Sequence, residues 1–162
     1  MKIDKSSLLT LLTLLILTPL FSCGQAITNK NVSQNDNKSI TRQILSIDTF
    51  SDFPPEIDGC SCYFSNDSTD FKNKKYIYVN DFAQTSFLKI NGVMIKFTQI
   101  EYKEIDKENV KAKYKSDNFG MTIEMKKGIQ NGDETWLKTG TITLTNKAGQ
   151  SIKKTFYGEC GC

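Results

Sequence analysis

Five cysteines are the side chains in this sequence best suited to redox or metal chemistry, and four of them form two matched pairs. Cys60 and Cys62 stand in Gly-Cys-Ser-Cys, and Cys160 and Cys162 in Glu-Cys-Gly-Cys; the fifth, Cys23, stands alone near the N-terminus. A bond within one Cys-x-Cys is sterically poor, because strand residues i and i+2 point the same way but lie ~6.6 Å apart at Cα. Bonds between the two pairs fit better. If the two segments are antiparallel neighbours, Cys60 opposes Cys162, Cys62 opposes Cys160, and all four sulphurs share one face. The crossed pairing needs parallel neighbours or irregular backbone. One such bond closes a loop of about 100 residues and removes roughly 4–5 kcal/mol of unfolded-state entropy, while the second closes only a tiny extra ring. Chain entropy therefore explains little of the second bond, which keeps two other chemistries open. Four thiolates on one face approach a tetrahedron for Zn²⁺ or a site for Cu⁺, although the spacing is not Cys-x₂-Cys. A redox-active Cys-x-Cys would need an exposed thiol of lowered pKa.

Histidine is absent. This excludes Ser-His and Cys-His nucleophiles and any imidazole metal site. Other polar groupings are weak. Glu56 and Asp58 flank Ile57 after Pro54-Pro55, with no geometric partner for acid-base work. Asn66-Asp67-Ser68-Thr69-Asp70 lacks the spacing and glycine of a calcium loop and reads as a turn. Lys111, Lys113 and Lys115 form a basic stripe, read as a solvated strand face or a guarded edge, with contact to an anionic envelope polymer as the sharper alternative. The expectation is a non-catalytic protein with no cofactor.

The N-terminus supplies the compartment. Lys2 and Lys5 precede an apolar run from Leu8 to Ser22, LLTLLTLLILTPLFS. Fifteen residues are too few to span a bilayer core, which needs about 20. A charged start and a short apolar run make a secretion signal. The run ends Leu20-Phe21-Ser22-Cys23, which resembles the lipobox of bacterial lipoproteins. That resemblance implies cleavage before Cys23 and acylation of Cys23 with three chains, enough for stable anchoring. Gly24-Gln25 follow, without the Asp typical of inner-membrane retention, so the expected location is the outer membrane, with the domain facing the periplasm or the cell surface. An oxidising compartment makes two disulfides the leading expectation for Cys60, Cys62, Cys160 and Cys162. Assigning Cys23 to lipid also leaves those four as an even set.

Residues 1–22 are thus read as signal and residues 23–40 as a tether. Gly24 to Ile40 is rich in Asn, Gln, Ser and Lys and too polar to bury a core. Residues 41–162 show a period of two. Val110, Ala112 and Tyr114 alternate with lysines; Phe119, Met121, Ile123 and Met125 alternate with smaller or polar residues; Ile142 and Leu144 alternate with threonines. Asn91-Gly92 is the favoured two-residue hairpin turn, and it sets Ile90 opposite Val93 and Leu88 opposite Ile95. Asn131-Gly132 and the stretch from Asn146 to Gln150 mark two more reversals. No helical period is visible after Thr41. The expected fold is all-β: one small antiparallel β-barrel or sandwich of about eight strands, its core filled from 10 Phe, 6 Tyr and 1 Trp. The formal charge of +3, or +2 once Lys2, Asp4 and Lys5 leave, is too mild for nucleic acid.

The domain is similar to the membrane-bound inhibitors of c-type lysozyme. The lipobox at Cys23, Cys62-Tyr63, Tyr78-Val79-Asn80-Asp81, the turn at Leu88-Lys89-Ile90-Asn91-Gly92 and a late Cys carry the resemblance. It implies a lipid-anchored envelope binding protein with lysozyme as partner. The inhibitors' Ser-Gly-x-x-Tyr-like loop has its nearest counterpart at Ser116-Asp117-Asn118-Phe119-Gly120, which does not match, so no inhibitory residue is transferred. A metal-binding or redox lipoprotein, and a structural subunit of an envelope complex, remain alternative expectations.

Overall fold

Residues 44–162 are described by a computed structural model; the expected signal (1–22), Cys23 and the expected tether (23–40) lie outside the described residues. Ten strands and one short helix follow in order: β1 (Ile47–Asp48), β2 (Ser61–Ser65), α1 (Ser68–Lys72), β3 (Tyr78–Asn80), β4 (Thr85–Ile90), β5 (Val93–Glu104), β6 (Asn109–Lys115), β7 (Phe119–Lys126), β8 (Ile129–Gln130), β9 (Thr135–Asn146) and β10 (Ser151–Gly161). Eight of them close an antiparallel barrel in the order β2-β3-β4-β5-β6-β7-β9-β10, with β10 pairing back onto β2. The two extra strands are short: β1 lies beside the end of β4, and β8 beside the start of β9. Of the two architectures open from sequence, the barrel is the one formed.

Every pairing within the barrel joins successive barrel strands, with β8 skipped between β7 and β9, except the closing seam, where β2 and β10 meet. Hydrophobic alternation explains the local pairings. Val110, Ala112, Tyr114, Met121, Ile123, Ile142 and Leu144 all turn inward and are buried, with Phe64, Tyr78, Leu88, Phe97 and Phe156 from the other strands. Phe64 stacks on Phe156 across the seam, ring centroids 4.1 Å apart. Gly158 makes that approach possible: a Cβ there would strike the Tyr63 carbonyl and the Phe64 ring.

The β4–β5 hairpin has the expected register, Ile90 opposite Val93 and Leu88 opposite Ile95. Asn91 and Gly92 both take positive φ, 47° and 82°, as that turn demands. Further along β5 the pairing slips between Gln99 and Glu101. This bulge moves the inward side from odd residues, such as Phe97, to even ones, so that Tyr102 stands opposite the inward Ala112.

The stretch Asn66 to Asp70, read from the sequence as a turn, instead caps and begins α1. Asp67 caps it, its carboxylate accepting from the Thr69 and Asp70 amides at 2.8 and 2.9 Å. Five residues are too few to display a helical period. The Asp cap with an acid in the first turn was the available signal.

Outside the barrel, residues 50–57 run across β2, β3 and β4 and cover a second apolar cluster of Phe50, Val79 and Phe87, flanked by Phe53, Tyr63 and Tyr76. The chain thus enters at one end of the barrel and begins β2 at the other. The entry end carries the Asn91-Gly92 turn and the loops at 66–77, 116–118 and 147–150. The far end carries the loops at 81–84, 105–108 and 127–134, and both disulfides.

Candidate functional site

At the seam, β10 and β2 are antiparallel and Cys160 lies directly opposite Cys62. The bonds are Cys62–Cys160 and Cys60–Cys162, with sequence separations of 98 and 102. This is the pairing that antiparallel neighbours require. The Cys62–Cys160 bond is buried against the core, whereas Cys162 is exposed at the rim. In this bonded form none of the four sulphurs is a thiolate, so a four-thiolate centre would first need both bonds reduced. Both bonds lock the one strand pairing that has no short connection.

Above the seam the inside of the barrel becomes polar and aromatic. Asn80, opposite Cys62, accepts from the Cys62 amide at 2.9 Å and the Phe82 amide at 3.1 Å. This holds the β3–β4 loop and places Phe82 at φ 62°, a conformation uncommon for a bulky side chain. Asp81 accepts from the amides of Ala83 and Thr85, each at 2.9 Å. Burial alone would raise the Asp81 carboxyl, but those donors outweigh it and hold the carboxyl below its ordinary value.

Deeper in, the Tyr78 hydroxyl donates to the Tyr114 hydroxyl at 3.2 Å. Burial pushes both phenols above their ordinary value. Ser86 is fully buried opposite Asn80, and its hydroxyl has no hydrogen-bond partner among the described residues. Trp136 stands opposite Cys160, and Lys138 opposite Gly158, so both project toward the lumen at this end. The Lys138 ammonium donates to the Lys127 carbonyl. Its partial burial lowers its pKa.

On the outer face beside the seam, the Tyr63 hydroxyl donates to Glu159 at 2.8 Å and Asn131 donates to the same carboxylate at 2.7 Å. Burial first, then the Glu159 carboxylate, raises the Tyr63 phenol far above its ordinary value. Nothing in the local sequence signals this group, since Tyr63 and Glu159 meet only through barrel closure.

The remaining sequence-derived candidates scatter. The basic stripe divides between its neighbours: Lys111 pairs with Glu124 on β7 and Lys113 with Glu101 on β5, each at 2.8 Å. Two of its three charges are therefore matched across strands, which supports the solvated-face reading. Glu56 and Asp58 are both exposed, just ahead of β2. Ser116 closes the β6–β7 turn, accepting from the Phe119 amide at 3.2 Å, at the opposite end from the disulfides. Among the described residues no group of three or more Cys, Asp or Glu is arranged to hold a metal ion.

No family model, no curated protein and no solved structure matches this chain.

Proposed function

We propose that this chain is a lipid-anchored cell-envelope protein of non-catalytic, binding type, tethered through Cys23 and with a lysozyme as the specific partner to test first. The carrying observation is the apolar run ending in Leu20-Phe21-Ser22-Cys23, followed by a polar tether and a domain with two disulfides. Disulfides of this kind persist in oxidising compartments, which is where a signal ending at Cys23 delivers the chain. The barrel lumen is filled by aromatic and aliphatic side chains, which favours recognition by the outer surface and rim over turnover in an internal cavity. The lack of histidine points the same way.

Metabolic labelling with palmitate, followed by membrane fractionation, tests the anchor. The wild type should be labelled and sediment with the membrane; Cys23→Ser should be unlabelled, unprocessed and still able to form its disulfides. Labelling that persists in Cys23→Ser would refute the anchor. For the partner, the purified domain should retain and inhibit a c-type or g-type lysozyme, and indifference to both would remove the lysozyme assignment.

A further inference from the structure

Exposed apolar side chains are unevenly distributed over this barrel. Eight large hydrophobic residues are solvent-exposed among the described residues, and six lie at the disulfide end: Phe82, Ile100, Tyr102, Ile105, Ile129 and Trp136. Single exposed hydrophobics need no explanation, but a cluster at one end of a small domain does. Two of the six, Tyr102 and Trp136, lie on the lumen side of their strands, opposite Ala112 and Cys160. They therefore frame the mouth of the barrel. Phe82 is held in solvent by an uncommon backbone conformation that Asn80 maintains from below. Strained backbone of this sort recurs at binding sites. The Gln99 amide donates to the Gln84 carbonyl at 2.8 Å, which sets the loop that carries Phe82 beside β5 next to Ile100.

The frame around the patch is acidic. The three loops at this end hold Asp81, Asp106, Glu108, Asp133 and Glu134 against Lys107 and Lys127; Lys127 is paired with Glu104 at 3.1 Å, and Lys138, on the lumen side beside Trp136, is bonded to the Lys127 carbonyl. The loops at the entry end hold Asp67, Asp70 and Asp117 against four lysines. An apolar centre inside an anionic rim repels an anionic bilayer and attracts a cationic protein surface. The chain also enters the domain at the opposite end, where the Ser46 amide donates to the Asn91 side chain at 2.8 Å. We infer that the disulfide end is a docking face for a positively charged protein, with Trp136, Tyr102 and Phe82 as its aromatic anchors. This builds on the proposed binding role of the domain and goes beyond it by naming the face and the charge of the partner.

Site-specific photo-crosslinking in intact cell envelopes tests it, using the full chain with p-benzoylphenylalanine placed at Phe82, Tyr102 or Trp136, and at Val93 or Ala148 as entry-end controls. The expected result is adducts of one protein, with net positive charge, at all three mouth positions and at neither control. Reversing the frame with Asp106→Lys and Asp133→Lys should cut those adducts at least tenfold, and so should Trp136→Ala when the crosslinker sits at Phe82. Adducts with lipid, with an acidic protein or at the controls alone, no adduct at all, or yields indifferent to charge reversal would each overturn the assignment. So would binding of the purified domain to phosphatidylglycerol vesicles through this face. Failure of the anchor or of the lysozyme assignment registers separately, in palmitate labelling and in lysozyme inhibition.

Discussion

Removing the disulfides one pair at a time should reveal that they share a single loop. Both bonds join β2 to β10, with separations of 98 and 102 residues, and they stand two residues apart on each strand. Either one alone closes a loop of about 100 residues, worth about 4.7 kcal/mol of unfolded-state entropy. With one bond in place, the other closes a ring of only about five residues, for which the same relation yields about 2 kcal/mol at most. The outer pair variant, Cys60→Ser with Cys162→Ser, should therefore cost about 2 kcal/mol or less. The inner pair variant, Cys62→Ala with Cys160→Ala, should cost about 1 kcal/mol more, because it also empties buried volume. Removing all four sulphurs should cost about 7 kcal/mol, a substantial part of the roughly 5–15 kcal/mol that a domain possesses. The fourfold variant thus exceeds the sum of its parts by about 2–3 kcal/mol, a coupling that a mutant cycle resolves. Urea unfolding followed by circular dichroism supplies the free energies. Thermal midpoints should fall by about 8 °C for the outer pair and by more than about 20 °C for the fourfold variant. Additivity within about 0.5 kcal/mol would refute the shared-loop reasoning.

Three further outcomes follow from the same structure. Gly92 sits at φ 82° in the β4–β5 turn, so Gly92→Ala should cost about 1–2 kcal/mol, read as a lower urea midpoint at unchanged slope. Ser86→Ala removes a fully buried hydroxyl that has no partner among the described residues, so it should leave stability unchanged or raise it by up to about 1 kcal/mol; a clear loss would mean that the hydroxyl is satisfied in solution. Burial raises the phenols of Tyr63, Tyr78 and Tyr114, with Glu159 adding to the effect at Tyr63. The folded state thus holds these protons more tightly than the unfolded chain, so their contribution is intact below pH 10 and disappears as pH rises beyond it. Absorbance at 295 nm should show Tyr78 and Tyr114 ionising only as the barrel unfolds, and Glu159→Gln should move the Tyr63 step to lower pH.

Local pattern carried much of the fold. Alternation at Val110–Tyr114, Phe119–Met125 and Ile142–Leu144 identified strands and their inward faces, because a two-residue period follows from the pleat of a single strand. Asn91-Gly92 specified both a turn and a register, because positive φ at both positions is a property of those two residues. What escaped were features whose signal is short or shared between distant segments. The five residues of α1 fall below any visible period. The bulge at Gln99–Glu101 inverts the inward face of β5 without changing its composition. The basic stripe at Lys111 and Lys113 could be recognised as matched only once Glu101 and Glu124 stood beside it.

The cysteines show where that boundary lies. Their even number, their two Cys-x-Cys pairs and the poor geometry of a bond within a pair were legible residue by residue, because they rest on covalent reach along one strand. The choice between barrel and sandwich was not. It depends on β2 meeting β10 across roughly 100 residues, a contact made by Phe64 stacking on Phe156 and by the close approach at Gly158. The two Cys-x-Cys pairs mark that these segments meet, but not whether they meet by closing a barrel or across a sandwich. Only barrel closure set Cys62 opposite Cys160, brought Tyr63 to Glu159, and gathered Phe82, Tyr102 and Trp136 at one end. Each of these is a relation between residues far apart in the chain, fixed by the free energy of packing the whole barrel and by no single segment.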